Sequence, residues 1–237
     1  MKRLLSIIAL ATTCFSVEAQ INELGLFAGG ANYVGDVGPT TYIAPKDLSL
    51  GVFYRWNRST RHSWRVGFTY GKITADDADS DSAGRKLRGY SFENSVKELS
   101  LALEFNFFEF NLHDDHFKWT PFLSTGIAYA FYNDKYLNAN KEIREYGNGS
   151  SLAIPMKVGV KVHIARDWVV GLESGVRYSF TDNLDGSNPS EDRYSAVRFG
   201  NLESNDWYVF TGFTLSYTFG DKPCYCCLLY TSPSPRD

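Results

Sequence analysis

The sequence predicts an all-β fold, an eight-stranded antiparallel up-and-down transmembrane β-barrel. Three observations carry that prediction: eight segments in which apolar residues alternate with small or polar ones, linkers that alternate between short and long, and tryptophans confined to segment ends. Strand side chains point alternately to the two faces of a sheet, so a period of two marks strands and not helices.

In order, the segments are 23–33, 48–56, 63–72, 96–108, 119–131, 152–164, 168–180 and 207–219. Each has one uncharged face. The second reads Leu48, Leu50, Val52, Tyr54, Trp56, and the sixth reads Leu152, Ile154, Met156, Val158, Val160, Val162, Ile164. The linkers 57–62, 109–118 and 165–167 are tight, whereas 34–47, 73–95, 132–151 and 181–206 are longer. All long loops therefore fall on one rim, the arrangement of outer-membrane barrels with short periplasmic turns and long external loops.

A soluble lipocalin-type barrel also has eight alternating strands, but it turns its apolar face inward. Volume excludes that inversion, because an eight-stranded interior is only wide enough to be filled by side chains. The opposite face here offers Gly25, Gly51, Gly67, Ser100, Gly126, Ala128, Gly159, Gly171, Gly175, Gly212 and Ser216, which suit a crowded inside. That face also carries the acids Glu23, Glu98, Glu104 and Glu173 and the bases Arg55, Arg65, Lys157, Lys161 and Arg177. Charges confined there are tolerable only when paired and hydrogen-bonded, so a plugged, salt-bridged lumen is expected and not a pore.

Trp56, Trp64, Trp119 and Trp168 sit at the short-turn rim and Trp207 at the other, as an aromatic girdle at the two membrane interfaces requires. At the start of the chain, Lys2 and Arg3 precede the apolar run 4–11, and Val17-Glu18-Ala19 before Gln20 fits a cleavage site. Residues 1–19 thus read as a secretory signal peptide. Thr13 before Cys14 suits a lipoprotein signal poorly. Residues 20–220 then supply about two hundred residues, enough for eight spanning strands of ~10 residues with loops. The expected location is the cell outer membrane, with both termini periplasmic.

The net charge of -3 provides no basic surface for nucleic acid. A mean hydropathy of -0.27 is compatible with the membrane, because only alternate strand residues face lipid. Residues 221–226 read as a periplasmic stub. Residues 227–237 resemble the conceptual translation of a transposase sequencing adapter and are set aside from fold reasoning. Cys224, Cys226 and Cys227 lack the paired spacing of a zinc site, and neither metal nor cofactor is expected.

Asp77-Ala78-Asp79-Ser80-Asp81 begins like a calcium loop, but Ser82 replaces the needed glycine and Arg88 stands where the bidentate Glu belongs. A solvated acidic loop tip is expected there. His62, His113 and His116 lie in short-rim turns, and His163 points inward near that rim. A membrane-embedded hydrolase or acyltransferase needs its base at the lipid-accessible outer edge, so no enzyme is expected.

The stretch 27–38, followed by Tyr42-Ile43-Ala44-Pro45 and Tyr54-Arg55-Trp56-Asn57, resembles the PorG-like outer-membrane family of Bacteroidetes. So do Glu98-Leu99-Ser100-Leu101 with 103–107, Thr120-Pro121-Phe122, the stretch 178–185 and Phe210-Thr211-Gly212. The resemblance runs from Ile21 to Cys226. It implies a component of the type IX secretion system that anchors or helps assemble a periplasmic ring of a lipoprotein and its associated secretion-system proteins. The short-rim residues Arg58, Arg61, His62, Asp114, Asp115, His116 and Arg166 are then the expected partner surface, with outer-membrane lipid and lipopolysaccharide around the barrel. The competing expectation is a generic structural or adhesive barrel that binds lipopolysaccharide or surfaces through its long loops.

Overall fold

The computed structural model describes residues 21–112, 116–138, 143–165, 167–201 and 203–220. The expected signal peptide, the stub and the adapter-like tail lie outside the described residues, as do His113, Asp114, Asp115 and Arg166. Eight strands form the molecule: β1 (Ile21–Val34), β2 (Asp47–Asn57), β3 (His62–Asp76), β4 (Ser91–Asn106), β5 (Lys118–Leu137), β6 (Ile143–Ala165), β7 (Trp168–Ser179) and β8 (Trp207–Phe219). Each pairs antiparallel with its neighbours in sequence, and β1 pairs with β8 from Asn22↔Phe219 to Val34↔Trp207, closing the barrel. No helix among the described residues is long and apolar enough to cross a membrane. A strand barrel needs none, since closure satisfies every ladder bond without leaving an edge in lipid.

The predicted faces are the observed ones. Leu24, Leu26, Leu50, Phe68, Leu101, Ile127, Met156, Leu172 and Phe213 are exposed on the outside, while Glu23, Arg55, Arg65, Glu98 and Glu104 are buried inside. The strand ends differ from the prediction. β3 continues to Asp76 and β4 starts at Ser91, while the β5–β6 hairpin remains paired out to Leu137↔Ile143, across a register shift at Asp134/Lys135. Both ends of the expected loop 73–95 and most of the expected loop 132–151 are therefore strand. The inward alternation persists there through Ile73, Ala75, Phe92 and Val96, while the outer face becomes polar and pairs Lys72 with Glu93 at 2.8 Å. The uncharged outer face ends where that face turns polar, but pairing continues past that point.

The small inward residues do not simply leave room. They hold inward aromatic rings. Phe53 of β2 faces Gly25 of β1 and Gly67 of β3 in register, and Phe122 of β5 faces Gly159 of β6. Phe27, Phe53, Phe122, Tyr208 and Phe210 are all buried in the interior. A glycine opposite an aromatic residue lets the ring lie flat over the neighbouring strand, which fills the lumen without widening it.

A Cβ at Gly159 would come within 2.5 Å of the Leu172 carbonyl oxygen and 2.7 Å of the Phe122 ring. Gly159→Val should therefore cost about 1–3 kcal/mol by overpacking. The check is the urea midpoint of the refolded barrel in detergent, and an unchanged midpoint would show that the Phe122 well is not tightly packed.

Candidate functional site: a sealed lumen between two rims

The middle of the lumen is a charge network assembled from inward positions of six strands. The Arg55 guanidinium donates to Glu23 at 2.5 Å, and its Nε lies 3.3 Å from Glu104. Lys161 donates to Glu104 at 2.5 Å. Arg65 forks onto Glu173 with bonds of 2.5 and 3.0 Å. Arg177 reaches Glu98 at 3.1 Å, and the Tyr208 hydroxyl donates to the same carboxylate at 2.9 Å. Asn57 and Ser216 donate to Glu23 at 2.8 and 2.7 Å. Eight of the nine charged residues expected to form this network are thus in ion pairs.

Lys157 is the exception: it makes no ion pair among the described residues, although Glu173, Glu98, Arg65 and Arg177 all act on it electrostatically. Five bases meet four acids, so one base remains without a close acid. Aromatic faces take up part of the positive field. The Arg65 guanidinium lies 3.9 Å over the Phe53 ring, that of Arg177 4.4 Å over Phe210, and the Lys161 ammonium 5.0 Å over Phe110.

Two further layers bound this network. Toward the long-loop rim an apolar layer contains Phe27, Val37, Ile73, Phe92, Val96, Phe210 and, at zero exposure, Leu184. Leu184 belongs to the loop after β7, whose residues 182–187 are all buried. Asn94 inside β4 fixes this inturned segment by donating to the Leu184 carbonyl at 2.8 Å. Toward the short-turn rim, Phe110 and Leu112 from the β4–β5 turn fold in beside Val169. The lumen is therefore filled at three levels, and neither plug was read from the sequence. The β4–β5 turn length and the apolar Leu184 within Asp-Asn-Leu-Asp were the only signals available.

On the outside, Trp56 and Trp64 are register partners at the short-turn rim, Trp119 packs edge-on against Phe108 at 5.1 Å, and Trp168 against Tyr217 at 5.4 Å. At the other rim Trp207 contacts Tyr178 at 4.9 Å and Tyr42 at 5.9 Å. Tyr42 arrives because the loop after β1 folds down the outer wall, held by Asn32, whose amide donates to the carbonyls of Thr41 and Tyr42 at 3.1 and 3.0 Å. Between the rows, Trp168 to Tyr178 along β7 climbs roughly 25 Å, at ~3.3 Å per residue and a tilt of about 40°. That is the height of a membrane-facing band.

At the short-turn rim, Arg58, Arg61, His62 and His116 are exposed. Arg58 lies 5.6 Å over the Trp56 ring. Arg61 donates to the Phe107 carbonyl at 3.0 Å and lies 3.5 Å from Glu109, joining the first two short turns. His163 is buried inside near this rim.

The long-loop rim corrects one expectation. Asp77 is not a solvated tip: it is fully buried and accepts from Arg88 Nε at 2.7 Å, Arg88 Nη2 at 2.9 Å, Gly38 N at 3.0 Å and Tyr90 N at 3.0 Å. Burial opposes its charge, but the bonds from Arg88, Gly38 and Tyr90 outweigh burial and hold the carboxyl below its ordinary range. The helix α1 (Ala83–Arg88) presents Arg85 and Arg88 to the first long loop, where they donate to the carbonyls of Gly38, Gly35 and Asp36 at 2.6, 2.9 and 2.6 Å. The arginine that spoils the calcium-loop pattern is thus the partner of its first aspartate. Under the inturned loop the balance is reversed. Burial and the nearby charges of Asp185 and Asp36 push Asp182 up to about 7, with Asn188 offsetting little. Burial and Asp185 likewise push Asp206 well above the ordinary range.

A model of the family described as "Domain of unknown function (DUF6089)" matches residues 2–228. No curated protein matches the chain. Among solved structures the chain is similar to a major outer membrane protein from Thermus thermophilus, at 16% identity over 85% of this chain and 100% of that one, with a TM-score of 0.49. It is also similar to Neisserial surface protein A, at 8% identity over 85% and 98% with a TM-score of 0.45. The N-terminal β-barrel domain of Pseudomonas aeruginosa OprF aligns at 11% identity over 83% and 97%, with a TM-score of 0.44.

Two measurements test this geometry. Glu104→Gln removes the charge shared by Arg55 and Lys161 and should cost about 3–5 kcal/mol in urea unfolding, whereas Glu109→Gln at the exposed Arg61 pair should cost no more than about 1 kcal/mol. Equal losses would refute the network. For Asp77, lowered from 3.8 in the folded state, the stabilisation is complete above about pH 4 and disappears as pH falls through the folded value. Amide exchange in 77–90 should accelerate across that acid window in the native protein and be insensitive to it in Asp77→Asn.

Proposed function

This chain belongs to the DUF6089 family, and we propose that it is a non-enzymatic outer-membrane barrel that anchors or helps assemble the periplasmic ring of the type IX protein secretion system. The observation that carries the reading is the combination of an apolar outer belt with a lumen filled at three levels. Such a barrel can grip the membrane but offers no solute path, which favours a rigid pin over a channel. The resemblance of 27–38, 98–107 and 178–185 to PorG-like proteins supplies the secretion context.

In this reading the short-turn rim faces the periplasm and meets the ring lipoprotein and its associated secretion-system proteins. Arg58, Arg61, His62 and His116 are exposed there, beside Phe117 and Trp119. The lacing of Arg61 to Phe107 and Glu109 makes this a preorganised surface, which lowers the ordering cost of docking. One observation favours a second reading, a generic surface barrel binding lipopolysaccharide or other surfaces. The long-loop rim carries a half-buried tyrosine group in which Tyr136 stacks on Tyr194 at 4.1 Å and Tyr146 lies 4.9 Å from Tyr194.

Affinity purification of the tagged chain from gently extracted outer membranes decides between them. Recovery of a periplasmic ring lipoprotein, lost on Arg58→Glu/Arg61→Glu with the barrel still folded, is the expected result; a lone barrel, or recovery indifferent to the charge reversal, counts against the anchor. Vesicles carrying the purified barrel should retain small entrapped solutes, and leakage above that of empty vesicles would defeat the sealed-lumen premise.

A further inference from the structure

The outward face of β4 changes character at Lys97. On the short-turn side of it that face reads Leu99, Leu101, Leu103 and Phe105, all exposed, so Lys97 carries the last charge before the apolar belt. The stretch from Phe107, just past the end of β4, up to Lys97 climbs roughly 25 Å, at ~3.3 Å per residue and a tilt of about 40°. Lys97 therefore stands at the long-loop boundary of the membrane-facing band, the level of lipid headgroups. Its register partners there are Tyr70 of β3 and Phe131 of β5.

Two hollows meet on this wall. The upper one, of about 310 Å³, is lined by Lys97, Ser95 and Asn148 together with Phe131. The lower one, of about 350 Å³, is apolar and runs over Leu99, Leu101, Ile127, Leu152 and Val66. Register joins them: the pair Lys97↔Phe131 lies next to Leu99↔Tyr129 and then Leu101↔Ile127 on the same face. At the junction the Tyr129 ring is edge-on to Phe131 at 5.0 Å, and its hydroxyl bonds Ser150 at 2.9 Å. The donors of the upper hollow are unused. Lys72, on the neighbouring strand, is held by Glu93 at 2.8 Å, but the Lys97 ammonium has no acid partner among the described residues. The Ser95 hydroxyl and the Asn148 amide likewise have no acceptor among them. Glu145 of the adjoining hairpin is engaged by Lys135 at 2.7 Å and Asn133 at 3.1 Å.

We propose that these two hollows bind one phosphorylated glycolipid of the lipopolysaccharide type, its phosphate at Lys97, Ser95 and Asn148 and an acyl chain along Leu99, Leu101 and Ile127. The inference deepens the lipopolysaccharide reading above and rests on it, but it puts the contact on the barrel wall and not in the long loops. The head must be anionic, because the ammonium stands at a low-dielectric boundary with no acid of its own. The tail must be apolar. The lower hollow is continuous with the membrane-facing belt, and the outward hydroxyl at its edge, on Tyr129, is already bonded to Ser150. A terminal phosphate suits the upper hollow better than the diester of a phospholipid, since it carries nearly two negative charges and three acceptor oxygens for one cation and two neutral donors.

The test is native mass spectrometry of the full chain in detergent, titrated with bisphosphorylated lipid A, the same lipid dephosphorylated, phosphatidylglycerol and inorganic phosphate. One lipid A per barrel is expected, with affinity falling about tenfold in Lys97→Gln and by a similar factor on dephosphorylation, the loss of one charge-assisted contact. Phosphatidylglycerol should bind more weakly. Lys72→Gln, whose cation is already paired, should bind as the wild type does, and Lys97 is exposed and unpaired, so its replacement leaves the fold intact. Lipid A retained equally by Lys97→Gln overturns the site while the lipopolysaccharide reading stands; no retention of lipid A overturns both. Equal affinity for phosphatidylglycerol overturns the glycolipid as occupant, and equal affinity for inorganic phosphate overturns the role of the lower hollow.

Discussion

The pairing of β1 with β8 is the constraint from which the rest of this structure follows. In lipid an unpaired amide or carbonyl has no water to turn to, so an open sheet of eight strands would leave two costly edges. Closing from Asn22↔Phe219 to Val34↔Trp207 removes both. Closure also fixes the interior radius, and with eight strands that radius admits little beyond side chains. The inward side chains then share a fixed volume, and some of the large rings are set opposite small residues. The Phe53 ring over Gly25, and the Phe122 ring opposite Gly159, are solutions to that one problem.

The same confinement explains why the charges are organised as they are. An isolated glutamate inside the barrel would cost several kcal/mol, yet Glu23, Glu98, Glu104 and Glu173 are each within bonding distance of a base. Replacing such pairs by apolar residues is often neutral or favourable for stability, so their presence is better understood as specification than as gain. Apart from Arg55 to Glu23 on β1 and β2, the pairs span strands that are not consecutive, as Arg65 to Glu173 does, and a one-residue register slip would turn a charge into lipid. Charge in the middle layer thus guards register, while the apolar layer under Leu184 and the Phe110 turn exclude water from both ends.

What could be read from the sequence divides along physical lines. Period-two alternation and the outward tryptophans depend on the nearest neighbours in a strand, so the strand count, the faces and the charged inward set were all legible. Strand ends beyond the membrane were not, because Ile73, Ala75, Phe92 and Val96 continue the inward pattern after the outward one has turned polar. The inward aromatics were hidden for a related reason: their partners are glycines on adjacent strands, a relation visible only once register is known. Asp77 with Arg88 shows the limit of motif reading, since the residue scored as a defect in a metal loop is the one that neutralises it. Leu184 was hardest to read, because a loop that folds inward has no periodicity to announce it.

The two rims hold their charged groups in different ways. At the long-loop rim some charged groups are consumed within the molecule, while Asp79, Asp81, Lys86, Asp192 and Arg193 stay exposed. Arg85 and Arg88 hold backbone carbonyls, Asp77 is enclosed, and Asp185 and Asp206 face the Tyr33 hydroxyl. An interface that engaged Arg85, Arg88 or Asp185 would first unmake bonds that hold the loops there. At the short-turn rim, backbone hydrogen bonds from Phe110 to Thr60 and from Asn106 to Arg61 fix the turns, while the side chains of Arg58 and His62 remain exposed. A surface whose shape is settled by its backbone and whose charges are still exposed needs little rearrangement to dock. Under the anchor reading proposed above, the short-turn end is the platform that would offer a partner exposed charges on a backbone already fixed.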